Sequence, residues 1–211
     1  MEWQTTGPEL SRLITPALSF VSRDGDVFPV LNSVQLSAVN GRVIAEATDR
    51  LRAVTMFGPP AAASEWSVML SAATWRELLA TFRRAPSLTL RATGDGRLAV
   101  HTEALDGVSG SLSYPVTDGE FPMMRRLYAK ALAHSSGARS DAHINPALFA
   151  PISKITREPV QMYQGGHGAP WLVLGEDFAA LLMPTRRGAD HAPTYADYFA
   201  AWAPGDEQAV S

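Results

Sequence analysis

One structural unit, written three times, limits what this chain can fold into. Asn40-Gly41 and Asp95-Gly96 lie 55 residues apart, each between two short segments of alternating apolar residues. Asn-Gly and Asp-Gly are the strongest two-residue hairpin signals, because both central positions of such a turn need positive φ. Each hairpin follows a helix candidate at a similar distance, so the repeat outranks any single element as a guide to architecture.

In the first unit, Glu9–Val21 places Leu10, Leu13, Ile14, Ala17, Leu18 and Val21 on one helical face. Gly7-Pro8 supplies its start, since proline suits a first helical turn. Strands are expected over Val30–Ala38, Val43–Thr48 and Leu51–Phe57. The second unit opens with a short strand, Ser67–Leu70, and Ser71 is a natural N-cap. Trp75, Leu78, Leu79 and Phe82 form its helical face, which ends at Arg83-Arg84; strands follow at Ser87–Ala92, Arg97–Thr102 and Gly107–Tyr114.

The third unit reads as a strand at Ala142–Ile144, a helix from Asn145-Pro146 through Ile155, and strands at Val160–Gln164, Trp171–Leu174 and Phe178–Met183. Gly165-Gly166-His167-Gly168 stands where the tight turn would be. The repeat is therefore β-α-β-β-β, three times, an α+β fold. Two copies make a natural domain with two sheets outside and two helices side by side within; three copies make one and a half. Arg125–Arg139, with Arg125, Arg126, Lys130, Arg139 and Ser135-Ser136-Gly137, reads as a basic linker. Beyond Arg187 the chain reads either as a frayed tail or, because Tyr195, Tyr198, Phe199 and Trp202 recur at helical spacing, as a short docked helix over Thr194–Trp202.

Composition narrows the function. Hydrophobic residues make up 46% and charged residues 18% of the 211, the balance of an ordinary globular chain. With no cysteine there are no disulfides and no cysteine-ligated metal, which fits a reducing, cytoplasmic setting. No apolar run reaches the roughly 20 residues of a membrane span, and Met1-Glu2-Trp3-Gln4 does not open a secretory signal. The net charge of −3 excludes a globally basic nucleic-acid binder. Either nucleic acid is not the partner or the basic residues gather on one face.

Catalysis finds little support. His101, His134, His143, His167 and His191 form no His-x-x-x-His pair, and Glu46 and Asp49 complete no metal motif with them. The Gly165–Gly168 run lacks the Lys-Ser/Thr of a phosphate loop and precedes a strand. No Gly-x-Ser-x-Gly elbow occurs. The chain reads as a non-enzyme that needs no cofactor and no metal.

Three landmarks point to a family. Val30-Leu31-Asn32-Ser33-Val34 with Ala47-Thr48-Asp49-Arg50-Leu51-Arg52-Ala53-Val54 is the first, and Asp118-Gly119-Glu120-Phe121-Pro122 followed by Arg125-Arg126 is the second. The third is Phe178-Ala-Ala-Leu-Leu-Met183-Pro184-Thr185-Arg186. In this order they resemble the β subunit of bacterial DNA polymerase III, the sliding clamp. The resemblance covers roughly Glu2–Leu127 and Ile144–Arg187. It implies a complete clamp domain at 1–127, a basic linker at 128–140, a half domain at 141–187 and a C-terminal tail at 188–211. The family clamp carries six units per chain, and two chains close head to tail around duplex DNA. The parts that make that contact are absent here, so a twelve-unit ring would need four chains and a new interface.

By resemblance, a groove between the whole and the half domain accepts short peptides of polymerases and repair proteins. Its lining would be Leu31, Thr48, Arg50, Leu51, Arg52, Ala53, Pro122, Leu127, Leu181, Met183 and Pro184, with Arg186 at the rim. An apolar slot of Leu, Met and Pro with a few hydrogen-bonding groups suits a peptide anchored by one or two large side chains. Ala53, where the family prefers a larger aliphatic, would widen or shallow it. The candidates for facing DNA phosphates are Arg12, Arg23, Arg76, Arg83, Arg84, Lys154 and Arg157. The function implied is a sliding-clamp-like processivity factor that docks clamp-binding peptides and encircles DNA as a homo-oligomer. The alternative is a non-ring adaptor or decoy that uses the pocket alone. A further expectation is that the tail lies in its own or a neighbour's pocket.

Overall fold

The computed structural model describes residues 2–23, 28–61, 65–93, 95–103, 109–134, 145–164 and 169–184. β1 (Glu2–Thr5) runs into α1 (Gly7–Ala17) through a capping box. The Thr6 hydroxyl accepts from Glu9 N at 3.2 Å, and Thr6 N donates back to the Glu9 carboxylate at 3.1 Å. The helix stops four residues before the expected Val21. Pro16 can donate no backbone hydrogen bond, and the chain then tightens, with Ser19 N bonding Pro16 O and Phe20 N bonding Ala17 O. Leu10, Leu13 and Ile14 are still fully buried, each contributing about 2 kcal/mol by leaving water.

A 3-10 turn, Pro29–Asn32, occupies the expected start of the next strand; three strands follow, β2 (Ser33–Val39), β3 (Arg42–Thr48) and β4 (Arg52–Pro60). Asn40 and Gly41 both have positive φ, 51° and 72°, and Val39 pairs with Arg42, so this hairpin has its two-residue turn. The second unit comprises β5 (Trp66–Ser71), α2 (Ala72–Phe82), β6 (Leu88–Thr93), β7 (Arg97–Glu103) and β8 (Ser109–Pro115). Ser71 caps α2, accepting from Thr74 N at 3.1 Å. Here the last pair is Thr93↔Arg97, so the hairpin does not close on the expected two residues, although Gly96 keeps a positive φ of 76°.

The two units exchange their first strands. β1 pairs with β6 of the second unit, and β5 pairs with β2 of the first, all antiparallel. α1 and α2 pack together between the sheets, as expected. Gly7 makes the closest approach: its N–H donates to Ala85 O at 2.8 Å, and any Cβ would collide with the Phe82 carbonyl. Trp75 is fully buried, and its indole N–H donates to Val34 O at 2.9 Å.

The stretch expected as a linker instead holds α3 (Met124–His134). The third unit departs as well. Its helix is a 3-10 turn (Pro146–Leu148) followed by a single turn, α4 (Ile152–Ile155), because Pro151 cannot continue a helical hydrogen-bond ladder. β9 (Gln161–Tyr163), β10 (Trp171–Leu174) and β11 (Phe178–Leu182) complete it. β11 pairs with β4, which joins the half unit to the whole domain in one seven-stranded sheet of order β5-β2-β3-β4-β11-β10-β9. The other sheet runs β1-β6-β7-β8. The expected strand Ala142–Ile144, the Gly165–Gly168 run, Gly107 and the Thr194–Trp202 helix lie outside the described residues.

Candidate functional site

The link between β3 and β4 is built around Asp49. Its carboxylate accepts from Leu51 N at 3.0 Å and Arg52 N at 2.7 Å, and from the Arg52 guanidinium at 2.9 and 2.6 Å. Thr48 adds two bonds, donating to Arg52 O and accepting from Arg50 N. Arg50 takes a left-handed φ of 76° and lays its guanidinium over Phe28, 3.7 Å from the ring centre. Thr48 and Arg52 are thus already partnered within the turn and hold its shape.

Strand pairing brings the second wall alongside. Leu181 sits opposite Ala53 and Leu182 opposite Arg52, and Met183 N donates to Leu51 O at 2.8 Å. So Thr48–Ala53 and Leu181–Met183 share one corner, across a sequence gap of more than a hundred residues. Ala53, Thr48 and Leu181 are buried, Leu31, Pro122, Met183 and Pro184 are half-buried, and Leu51 and Leu127 are 56% and 42% exposed. Arg186 lies outside the described residues.

α3 explains why the floor is buried. Phe121, Met124 and Ala131 cluster with Ala53, Met69, Leu172 and Leu181 on the outward face of the seven-stranded sheet. Tyr128 donates its hydroxyl to Ala179 O at 2.8 Å, and burial pushes its pKa well above the usual phenol range. Beside it, Glu46 accepts from Thr55 at 2.9 Å; burial raises its pKa, partly opposed by that hydrogen bond and by Arg125. Residue reasoning missed Phe121, Met124, Tyr128 and Glu46, although Met124, Tyr128 and Ala131 recur at helical spacing.

Three concavities bear on the site, and one of them reaches this corner, through Asp49, Leu51 and Arg52. One, of about 510 Å³, lies beside α3 and is lined by Ile44, Phe57, Leu172 and Leu174 with Glu46 and Arg125; it contains none of the expected pocket residues. The other two lie on the helix side. A hollow of about 800 Å³ gathers Arg12, Arg83, Arg84 and Lys154 with Glu158, Glu176 and Asp177. Its neighbour, about 1410 Å³, gathers Arg23, Arg52, Arg76, Arg83 and Lys154 around Asp49 and Leu51. Six of the seven residues proposed to face DNA therefore line one side of the molecule. Arg157 is exposed next to Thr156 and Glu158, which line the first hollow. Arg12 meets Asp177 at 4.0 Å, with both side chains more than half exposed. Charge is nearly balanced in the first hollow and clearly positive in the second. Among the described residues, no group of three or more His, Cys, Asp or Glu could hold a metal ion, and no helix is long and apolar enough to cross a membrane.

No sequence model of a protein family matches the chain, and no curated protein matches it in sequence. Solved structures do. The chain has the fold of bacterial sliding clamps. Its structure is similar to the DNA polymerase sliding clamp of Pseudomonas aeruginosa solved with a ligand, at 15% identity and a TM-score of 0.67. The DNA polymerase III β subunit of Thermotoga maritima gives 14% and 0.69, and a putative β subunit of Eubacterium rectale gives 11% and 0.71. Each match covers 89% of this chain and 66 to 67% of the other, so the chain spans about two thirds of a clamp.

Proposed function

We propose that the protein is a non-catalytic, cytoplasmic replication accessory factor that docks clamp-binding peptides of polymerases or repair proteins at the β4–β11 corner. One observation supports this above the rest. The β4–β11 ladder and the Met183–Leu51 hydrogen bond unite two walls that are remote in sequence. They leave Leu51 and Leu127 exposed, where a peptide's apolar anchor would need a surface. The Asp49 network adds a rigid rim, which lowers the ordering cost of binding. In this reading 1–127 is the whole domain and 141–187 the half domain, joined through α3 and the residues after it.

The test is a fluorescence-anisotropy titration with a labelled clamp-binding peptide. Met183→Glu and Leu51→Glu each put a charge against the peptide's apolar anchor and are expected to weaken binding at least about tenfold. Binding equal to the parent in both variants would sink the pocket. The second reading, an adaptor that never encircles DNA, draws support from Glu158, Glu176 and Asp177 among the basic residues of the helix side. Solution mass separates the two, because four chains are needed for twelve units and a single chain cannot surround a duplex.

A further inference from the structure

The repeat makes β8 the counterpart of β4, each being the fourth strand of its unit. Ala45 and Val100 both lie four residues past the turn glycine, and they pair with Met56 and Leu112 respectively. Leu112 therefore stands where Met56 stands. Yet Met56 is 4% exposed and Leu112 is 45% exposed. The difference has a visible cause: β11 runs along the outer edge of β4, with Phe178 opposite Met56. Among the described residues nothing pairs with the outer edge of β8.

Apart from Pro115 at its very end, that edge carries none of the usual protection. Its seven residues, Ser109-Gly-Ser-Leu112-Ser-Tyr-Pro115, hold no charge, and their register with β7 is unbroken from Arg97↔Pro115 to Glu103↔Ser109. Free edges are normally blunted by charge, bulges or brevity, so a long, regular, uncharged one is a pairing surface. Arg97 reaches back to donate to Ser113 O at 2.8 Å, but this does not block the edge. In the first unit Arg42 donates to Gly58 O at 2.9 Å, two residues past the last β4–β11 pair, Met56↔Phe178, and the Arg97 bond likewise lies past Leu112, the counterpart of Met56.

The β4–β11 junction also indicates the kind of partner: the last strand of another unit, antiparallel. Within this chain β4 and β11 occupy each other, so the last strand left to offer is β8 itself. We propose that β8 is a homotypic assembly edge, through which two copies of the chain pair antiparallel along Ser109–Pro115 and cover Leu112. An antiparallel pair of identical strands is self-complementary about a two-fold axis, the commonest symmetry of soluble oligomers. It would merge two four-stranded sheets into one of eight. The inference concerns assembly alone and holds whether or not peptides or DNA bind.

Analytical ultracentrifugation of the full chain over micromolar concentrations tests it. The parent is expected to dimerise. Leu112→Lys sets like charges together at the seam and should raise the dissociation constant at least about tenfold, while Met162→Lys on the β9 edge should leave it unchanged. Hydrogen–deuterium exchange of the parent gives a second reading that needs no variant: amides of residues 109–115 should gain protection as concentration rises. A parent that stays monomeric throughout would overturn the proposal. So would a dimer that survives Leu112→Lys, or that Met162→Lys dissolves, or whose β8 exchange ignores concentration.

Discussion

Glu46 sits on the outward face of β3 with its carboxylate against Thr55, and α3 covers it with Tyr128 and Arg125 nearby. Burial disfavours the charged form, so its folded pKa lies above the ordinary 4.5. The folded state then holds the proton more tightly than the unfolded chain. Stability from this group is fully present below about pH 4.5 and is lost as pH rises through the folded pKa. Glu46→Gln keeps an acceptor for Thr55 and removes the titration. Urea melts should show the variant more stable than the parent at neutral pH, with the gap closing in acid; a constant gap would assign the effect to packing. At this scale the sequence was only partly legible. Thr48, Asp49 and Arg52 stand out in the sequence as a distinctive segment, but not the contacts they make within the turn, where one carboxylate holds four donors. Nothing local in the sequence reveals that Arg50 leans over Phe28, because the contact depends on how the chain returns after α1.

The elements divide along a physical line. Strands and helices whose hydrophobic pattern meets a single core, α1, α2 and β2–β7, were readable to within a few residues. The shortened helices trace to proline, at Pro16 within α1 and at Pro151 ahead of α4. α3 was missed because its pattern is diluted. Met124, Tyr128 and Ala131 alternate with Arg125, Arg126 and Lys130, and basic residues on a solvated face look like a linker. The helix is held by its packing, and two substitutions measure how firmly. Tyr128→Phe removes the bond to Ala179 O and should cost about 1 kcal/mol. Met124→Ala opens the cluster beneath and should cost about 2 kcal/mol. Both losses should appear in denaturant melts without a change in slope. If α3 were only a tethered linker, neither change would be felt.

At the scale of the whole molecule, the threefold repeat predicted the architecture, and the structure added how the units join. The β4–β11 ladder could not be read from sequence, since it pairs strands more than a hundred residues apart. That same ladder sets the helix side, where Arg23, Arg76, Arg83 and Lys154 surround one hollow while acidic residues offset the basic ones next door. If this side faces a duplex, binding should be sequence-independent and weak, because each phosphate contact releases about 0.9 of a counterion and one chain offers roughly four contacts. Log affinity against log salt should then fall with a slope near −4 for a single chain, and more steeply for an assembly that presents two such sides. Arg76→Glu with Arg83→Glu should abolish binding at low salt, whereas Arg12→Ala, in the nearly neutral hollow, should change it little. A double variant that binds duplex as well as the parent would remove DNA from the helix side and leave the β4–β11 corner as the surface proposed to meet a partner.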